Sequence, residues 1–342
     1  MLVPRTYGGA EASPSEMVHV IEEVSRACAS TGWCVMVGAL SGLLAAYADD
    51  AVAREIFEKH PDVVLSGVFA PTAQAELLDD GRLRVRGRWG FASGCEHATY
   101  RMGGAIVVAD GKPVLSPAGE PDVRHVIFDA KDTTIADTWD VAGLCGTGSH
   151  DMVVEDVVVP QERAVRFATA SAREKGALYM FPPIGLLALG VASVCLGVAR
   201  EAIDELVALA GAKHPGGGHR SLAERELVQT QVGEAEALVS SSRAYVLSTA
   251  EEIFAKAKSS GAVDDADRAR LRLAATHATR SCARAVDLMY EAAGGTSIYK
   301  KSALQRHFRD IHVATQHAMV ASSTYSIAGR VALGLRVDRS AL

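Results

Sequence analysis

Apolar residues recur at helical spacing at both ends of the chain and at every second position in its middle, so the pattern changes period twice. Near the start, Met17, Ile21, Val24 and Cys28 share one helical face, behind a Ser13-Pro14 start followed by Glu16. Further helical runs are expected from about Trp33 to Tyr47 and from Ala51 to Lys59, with His60-Pro61 closing the region. Between residues 62 and 165 the period shortens. Arg82-Leu83-Arg84-Val85-Arg86 alternates charged and apolar side chains after an Asp79-Asp80-Gly81 turn, which predicts a half-buried strand. Short β-rich runs at Val63–Val68, Ala105–Val108, His125–Asp129 and Met152–Val159 complete an all-β segment, a small barrel or sandwich.

After Pro160 the helical period returns, with helices expected at Pro183–Ala210, Leu222–Lys258, Ala266–Gly294 and Ala303–Ala328. The 214–219 stretch, with Gly216-Gly217-Gly218, is a loop, and Ser259-Ser260-Gly261 a turn. Long helices joined by short loops make an antiparallel four-helix bundle. The fold class expected is mainly α with a central β domain: helices over 1–61, a β-barrel over 62–165 and the bundle over 166–342. The last helix is unusual. Taken as continuous from Ala303, it brings Arg306, Asp310, Val313 and His317 into one narrow angular band, a cation, an anion and an imidazole in a row. A buried ion-pair network with a satisfied histidine is the plain reading of that face, and a site is the alternative.

Composition narrows the function classes. Apolar residues make up 49% and charged residues 22%, and the net charge is −6, with no basic block; this argues against nucleic acid or an anionic membrane surface as partner. The most apolar run, Ile184 to Ala199, falls short of the roughly 20 residues a span needs and suits a buried bundle helix. Six dispersed cysteines, without CxxC or a His/Cys cluster at ligand spacing, read as reduced cytosolic thiols and no metal site. The opening MLVPRTYGG has neither the apolar core nor the charged lead of a signal peptide.

Two motifs could carry chemistry. In GRWGFASGCEHA (87–98), a strand ends in small residues between Trp89 and Phe91 on one side and Ser93 on the other. Its aromatics could cover a flat heteroaromatic ring while the Ser93 hydroxyl and nearby amides reach the polar edge; Trp and Phe at alternate strand positions are more usually core. In DTWDVAGLCGTGSHD (137–151), glycines and hydroxyls could cradle a phosphate, but the β pattern that follows, in place of a helix, favours a structural turn. There is no GxSxG, no cysteine in a nucleophile setting and no isolated carboxylate pair.

These motifs, with VPRTYGG near the start and AAGGTSIYKKSALQRHFRDIHVATQH (292–317), resemble the acyl-CoA dehydrogenase fold superfamily. Within it the chain looks most like the flavin-dependent monooxygenases of two-component systems, and the resemblance spans essentially the whole sequence. It implies N-terminal helices, a β-barrel, a four-helix bundle and a homotetramer. It further implies a cytoplasmic enzyme that receives reduced FMN or FAD from a separate flavin reductase. With O2 that flavin forms a C4a-hydroperoxyflavin, which oxygenates an aromatic or polycyclic small molecule.

By the same resemblance Ser93 lies near the reacting edge of the flavin, and Trp89, Phe91, Ala92, Gly294, Gly295 and Ser297 belong to cofactor-contacting segments. Arg220 is a candidate for the flavin phosphate, and His97 joins His317 on the acceptor side. His317 would orient or deprotonate a phenol-like acceptor, with a pKa near working pH. Many acyl-CoA dehydrogenases carry a Tyr-Glu pair, whose glutamate is the base, where this chain has His317-Ala318. The alternatives are an FAD-dependent acyl-CoA dehydrogenase with its base elsewhere, or a degenerate, non-catalytic member. The chain also begins almost at the YGG element, which implies a shortened N-terminal helical domain.

Overall fold

Ser13 shows how local chemistry starts a helix here. Its hydroxyl accepts the Glu16 amide while the Glu16 carboxylate accepts the Ser13 amide at 2.7 Å, and Pro14 takes the first helical position. This capping box opens α1 (Pro14–Ala27). The computed structural model describes residues 1–342 except 61, 117–118, 168–170, 215, 217–218 and 340–341. Pro61 and two glycines of the expected 214–219 loop lie outside the described residues. The second helix, α2, spans Ala29–Ser41, begins four residues before the expected Trp33, and runs into a 3-10 turn over Gly42–Ala46. A single turn, α3 (Asp50–Ala53), follows and continues as a π-type turn over Arg54–Glu58.

The chain packs as two compact units that interleave along the sequence. One comprises Met1–Ala12, Cys34–Asp140 and Thr147–Tyr179; the other comprises Ser13–Trp33, Val141–Gly146 and Met180–Leu342.

The first unit is built on one sheet of eight strands. They are β1 (Leu65–Leu77), β2 (Leu83–Trp89), β3 (Tyr100–Ala109), β4 (Lys112–Pro113), β5 (Val123–Asp129), β6 (Thr134–Ala136), β7 (Asp151–Val159) and β8 (Ala164–Val165). Their order is β6-β7-β2-β1-β3-β5-β8, with β4 paired to β3. Among the described residues only β1 and β3 pair in parallel, and β1 is bulged between Val68 and Ala73. Trp89 of β2 lies 6.0 Å from Phe128 of β5 although β1 and β3 separate those strands. The sheet must therefore curl around its core. A Cβ on Gly103 of β3 would stand 2.3 Å from the Trp89 ring, so the tight interior requires glycine there. Among the described residues no ladder joins β6 to β8, so the barrel is open along that seam.

After the short α4 (Ala177–Met180), three long helices form the frame of the second unit: α5 (Pro183–Ala212), α6 (Glu226–Ser260) and α7 (Asp265–Ala293). The second of them, α6, starts at Glu226 and not at the expected Leu222, because Ser221 and Glu224 cap a separate 3-10 turn before it. By length and composition both Ala29–Ala46 and Pro183–Ala212 could cross a membrane, but 67% and 83% of their most apolar windows are buried here. Small residues allow this: a Cβ on Gly197 of α5 would sit 2.2 Å from the Glu22 carbonyl of α1.

The expected final helix is not continuous. It divides into α8 (Ala303–Ala314), a 3-10 turn over Ala318–Val320 and α9 (Ser323–Ala332). Arg306, Asp310, Val313 and His317 therefore do not form one face, because the helix ends before His317. Side chains satisfy the freed backbone: Thr315 Oγ1 donates to the His312 carbonyl at 2.6 Å, and His317 Nδ1 accepts the Met319 amide at 3.2 Å. Arg272 of α7 donates from Nε to the Met319 carbonyl, also at 3.2 Å, which holds the break from outside.

Candidate active site

Beyond β2 the chain of the sheet unit turns sharply through 91–97. Phe91 has φ +63°, a backbone that bulky side chains rarely adopt, and its ring is 76% exposed. The turn is pinned from several sides. Ala92 and Gly94 amides donate to the His150 and Thr147 carbonyls at 3.1 and 2.8 Å, and Ser66 Oγ donates to the Ser93 carbonyl at 2.8 Å. His150 Nδ1 accepts the Thr138 and Trp139 amides, each at 3.1 Å, and so holds Trp139 edge-on to Phe91 with centroids 6.0 Å apart.

Behind that aromatic pair runs a buried chain of hydroxyls. Ser93 Oγ lies 2.7 Å from Ser149 Oγ, which lies 2.6 Å from Thr147 Oγ1. Each hydroxyl both donates and accepts, so the orientation of one sets the next. A strained, exposed phenyl ring beside an enclosed hydroxyl suits the face and polar edge of a flavin ring.

The bundle unit holds His317. Its ring meets Trp33 edge-on, centroids 5.6 Å apart at 69°. Burial pushes its pKa down to about 4, with the Arg272 cation adding to the effect, so the imidazole is neutral at physiological pH. The expected titration near working pH is thereby corrected. Arg272 is itself buried, donating to the Met319 carbonyl and to Thr324 Oγ1.

Asp310 does not pair with Arg306. It is buried and accepts the Leu144 amide at 2.6 Å, while Arg309 donates to the Ala142 carbonyl at 2.7 Å. A Cβ on Gly143 would stand 2.3 Å from the Arg309 carbonyl, so the glycine permits this close approach to α8. Residues 141–146 therefore form a docked segment, and the hydroxyls that follow serve Ser93.

Other expected residues fare differently. Trp89 is fully enclosed in the sheet core with Nε1 donating to the Gly104 carbonyl at 2.8 Å, so in this structure it packs the core. Ala92 is also buried, and its contribution is the amide that fixes the turn. Ser297 is 1% exposed, with its hydroxyl donating to the Gly294 carbonyl at 2.6 Å, and it shapes the turn after α7 instead of facing outward. Gly294 (φ +58°) and Gly295 have open space where a Cβ would be. His97 is exposed in the sheet unit beside Gly94, and Arg220 is exposed ahead of the Ser221 cap. Among the described residues no group of metal-ligating side chains converges.

Trp33, Arg272, Ser149, Thr147 and His150 escaped the sequence reading. The last three stand in a motif read as a structural turn, with a phosphate cradle as the alternative. Trp33 and Arg272 carry no local signal that points to His317.

The acyl-CoA dehydrogenase N-terminal and C-terminal domain families match residues 1–60 and 189–322. The chain is 33% identical over 336 residues to an indole-3-acetate monooxygenase of Acinetobacter baumannii, covering 98% of this chain and 84% of that one. It is 31% identical over 355 residues to the oxygenase component of an FADH(2)-dependent resorcinol hydroxylase of a Rhizobium species, covering 97% and 84%. The structure of XiaF from a Streptomyces species in complex with FADH2 and glycerol superimposes with a TM-score of 0.89 at 27% identity, covering 98% and 85%.

Proposed function

Since the chain belongs to the acyl-CoA dehydrogenase family, among its flavin-dependent monooxygenase oxygenase components, we propose that it oxygenates a small aromatic acceptor at the expense of reduced flavin and O2. The observation that carries the choice over a dehydrogenase is the residue that follows α8. His317 and Ala318 stand where many dehydrogenases of the fold place a carboxylate base, and the groups acting on the His317 ring are Trp33 and Arg272. An α-proton has no carboxylate to receive it there.

Reduced flavin, when bound, supplies two electrons and the position at which O2 is activated. Phe91 would cover the ring, and the Ser93 hydroxyl, oriented through Ser149 and Thr147, would bond its polar edge. His317 contacts the oxygen of the acceptor. Indole-3-acetate and resorcinol, named for two relatives, define the size and chemistry of acceptor to try first. A separate flavin reductase delivers the cofactor.

Exposed Ile298 and Tyr299 beside Gly294-Gly295, with exposed Leu333 and Leu335, support burial in a homotetramer. Six cysteines free of disulfides support a cytoplasmic location.

The test supplies FMN or FAD, an NADH-driven reductase, isotopically labelled O2 and a panel of phenols and indoles. Product carrying one labelled oxygen atom is expected. Reduction of bound FAD by an acyl-CoA, without oxygen incorporation, contradicts the proposal. Failure to bind either flavin points to a non-catalytic member.

A further inference from the structure

What His317 can do for an acceptor is decided by its other ring nitrogen. Nδ1 receives the Met319 N–H at 3.2 Å, and a protonated Nδ1 has no lone pair with which to do so. The same bond caps the 3-10 turn Ala318–Val320, so releasing it would uncap that turn. From the far side, Arg272 Nε holds the Met319 carbonyl. Trp33, edge-on at 5.6 Å, packs against the ring and opposes its rotation. The neutral imidazole thus carries its proton on Nε2, and Nε2 has no hydrogen-bond partner among the described residues.

The electrostatics at that nitrogen are one-sided. The charged group that acts on the ring is the buried Arg272 guanidinium, and among the described residues no carboxylate offsets it. A free N–H donor in a positive field suits an oxygen with negative charge better than a neutral hydroxyl. A neutral phenol would also find no lone pair on Nε2 to take its proton.

We propose that His317 acts as a hydrogen-bond donor and not as a base, presenting Nε2–H to an acceptor bound as its oxyanion, a phenolate or an aromatic carboxylate. The phenolic proton is given to solvent before binding, so no proton passes to the imidazole. This assignment rests on the reading that His317 touches the acceptor. It makes ionisable aromatics the substrate class and disfavours unsubstituted aromatic or polycyclic rings.

The experiment uses the full chain labelled with 15N-histidine, with His317 assigned by its loss in His317→Ala. A bonded proton on Nε2 and a bare Nδ1 are expected, and the reverse tautomer overturns the proposal. Added 4-nitrophenol is expected to shift the Nε2–H signal, with the bound dye showing its phenolate spectrum below the pH at which the free dye ionises. The expected tautomer without any response to bound dye overturns the reading that His317 touches the acceptor, and the proposal with it.

His317→Gln keeps an N–H donor but supplies no base. It is expected to bind the dye within about threefold of the parent, whereas His317→Ala weakens binding about 10- to 100-fold. Equal losses in the two variants contradict the donor role.

Discussion

The Asp310 carboxylate accepts the Leu144 amide at 2.6 Å, and this bond ties the 141–146 segment of the bundle unit to α8. Leu144 has φ +52°, a strained backbone for a branched side chain. Burial pushes the Asp310 carboxyl up, against the pull of the Leu144 amide and of Arg306 and Arg309. A charged carboxylate kept buried at such a point is a structural commitment of this unit.

Asp310→Ala is therefore expected to destabilise the fold by about 1–3 kcal/mol in denaturant unfolding. Asp310→Asn keeps an oxygen that can accept from Leu144 and should lose less. Because the folded carboxyl titrates above its unfolded value, its contribution is fully present below the unfolded pKa and is lost as pH rises through the folded one. The Asn variant should lack that slope.

Two histidines, His307 buried and His317 half-buried, set the acid limb with the opposite sign. His307 and His317 are both pushed down to about 4, mainly by burial. Their contribution is present above the unfolded value and is lost as pH falls from about 6.5 through 4. His307 is 3% exposed with Nε2 unpartnered among the described residues, so His307→Leu should flatten this limb by on the order of 3 kcal/mol below pH 4. Unfolding followed across pH 3.5–7 checks it, and an unchanged limb removes His307 from this role.

Phe91 should separate stability from cofactor binding. Replacing a residue at φ +63° by glycine relieves backbone strain of about 1 kcal/mol, so Phe91→Gly is expected to melt no lower than the parent. Loss of the covering ring should weaken reduced-flavin binding about 2- to 10-fold. Thermal melting and anaerobic flavin titration read the two effects independently.

The hydroxyl chain predicts an effect on coupling. Ser149→Ala removes the link between Ser93 and Thr147 while leaving Phe91 in place. Flavin affinity should hold within about twofold, while the ratio of oxygenated product to released peroxide falls about tenfold, as for loss of one oriented hydrogen bond. A variant with unchanged coupling would show that Ser93 needs no such support.

How far the sequence could be read depended on the range of the interactions. The start of α1 was legible because Ser13, Pro14 and Glu16 hold its whole signal within four residues. The end of α8 was not. No glycine or proline marks it, and its stabilising contacts come from Arg272 and Trp33, far away in the chain. Trp89 and Phe91 share the same alternating spacing, yet one fills the core and the other projects outward. The difference lies in the turn at Phe91 that His150 and Thr147 hold from the next loop.

The most direct measurement is rapid mixing of protein carrying reduced FMN or FAD with oxygenated buffer, with and without 4-nitrophenol or indole-3-acetate. A flavin oxygenase predicts a transient absorbance before the oxidised-flavin band rises, and hydroxylated product when an acceptor is present. Immediate appearance of oxidised flavin, with stoichiometric peroxide and no product for either flavin, would contradict it.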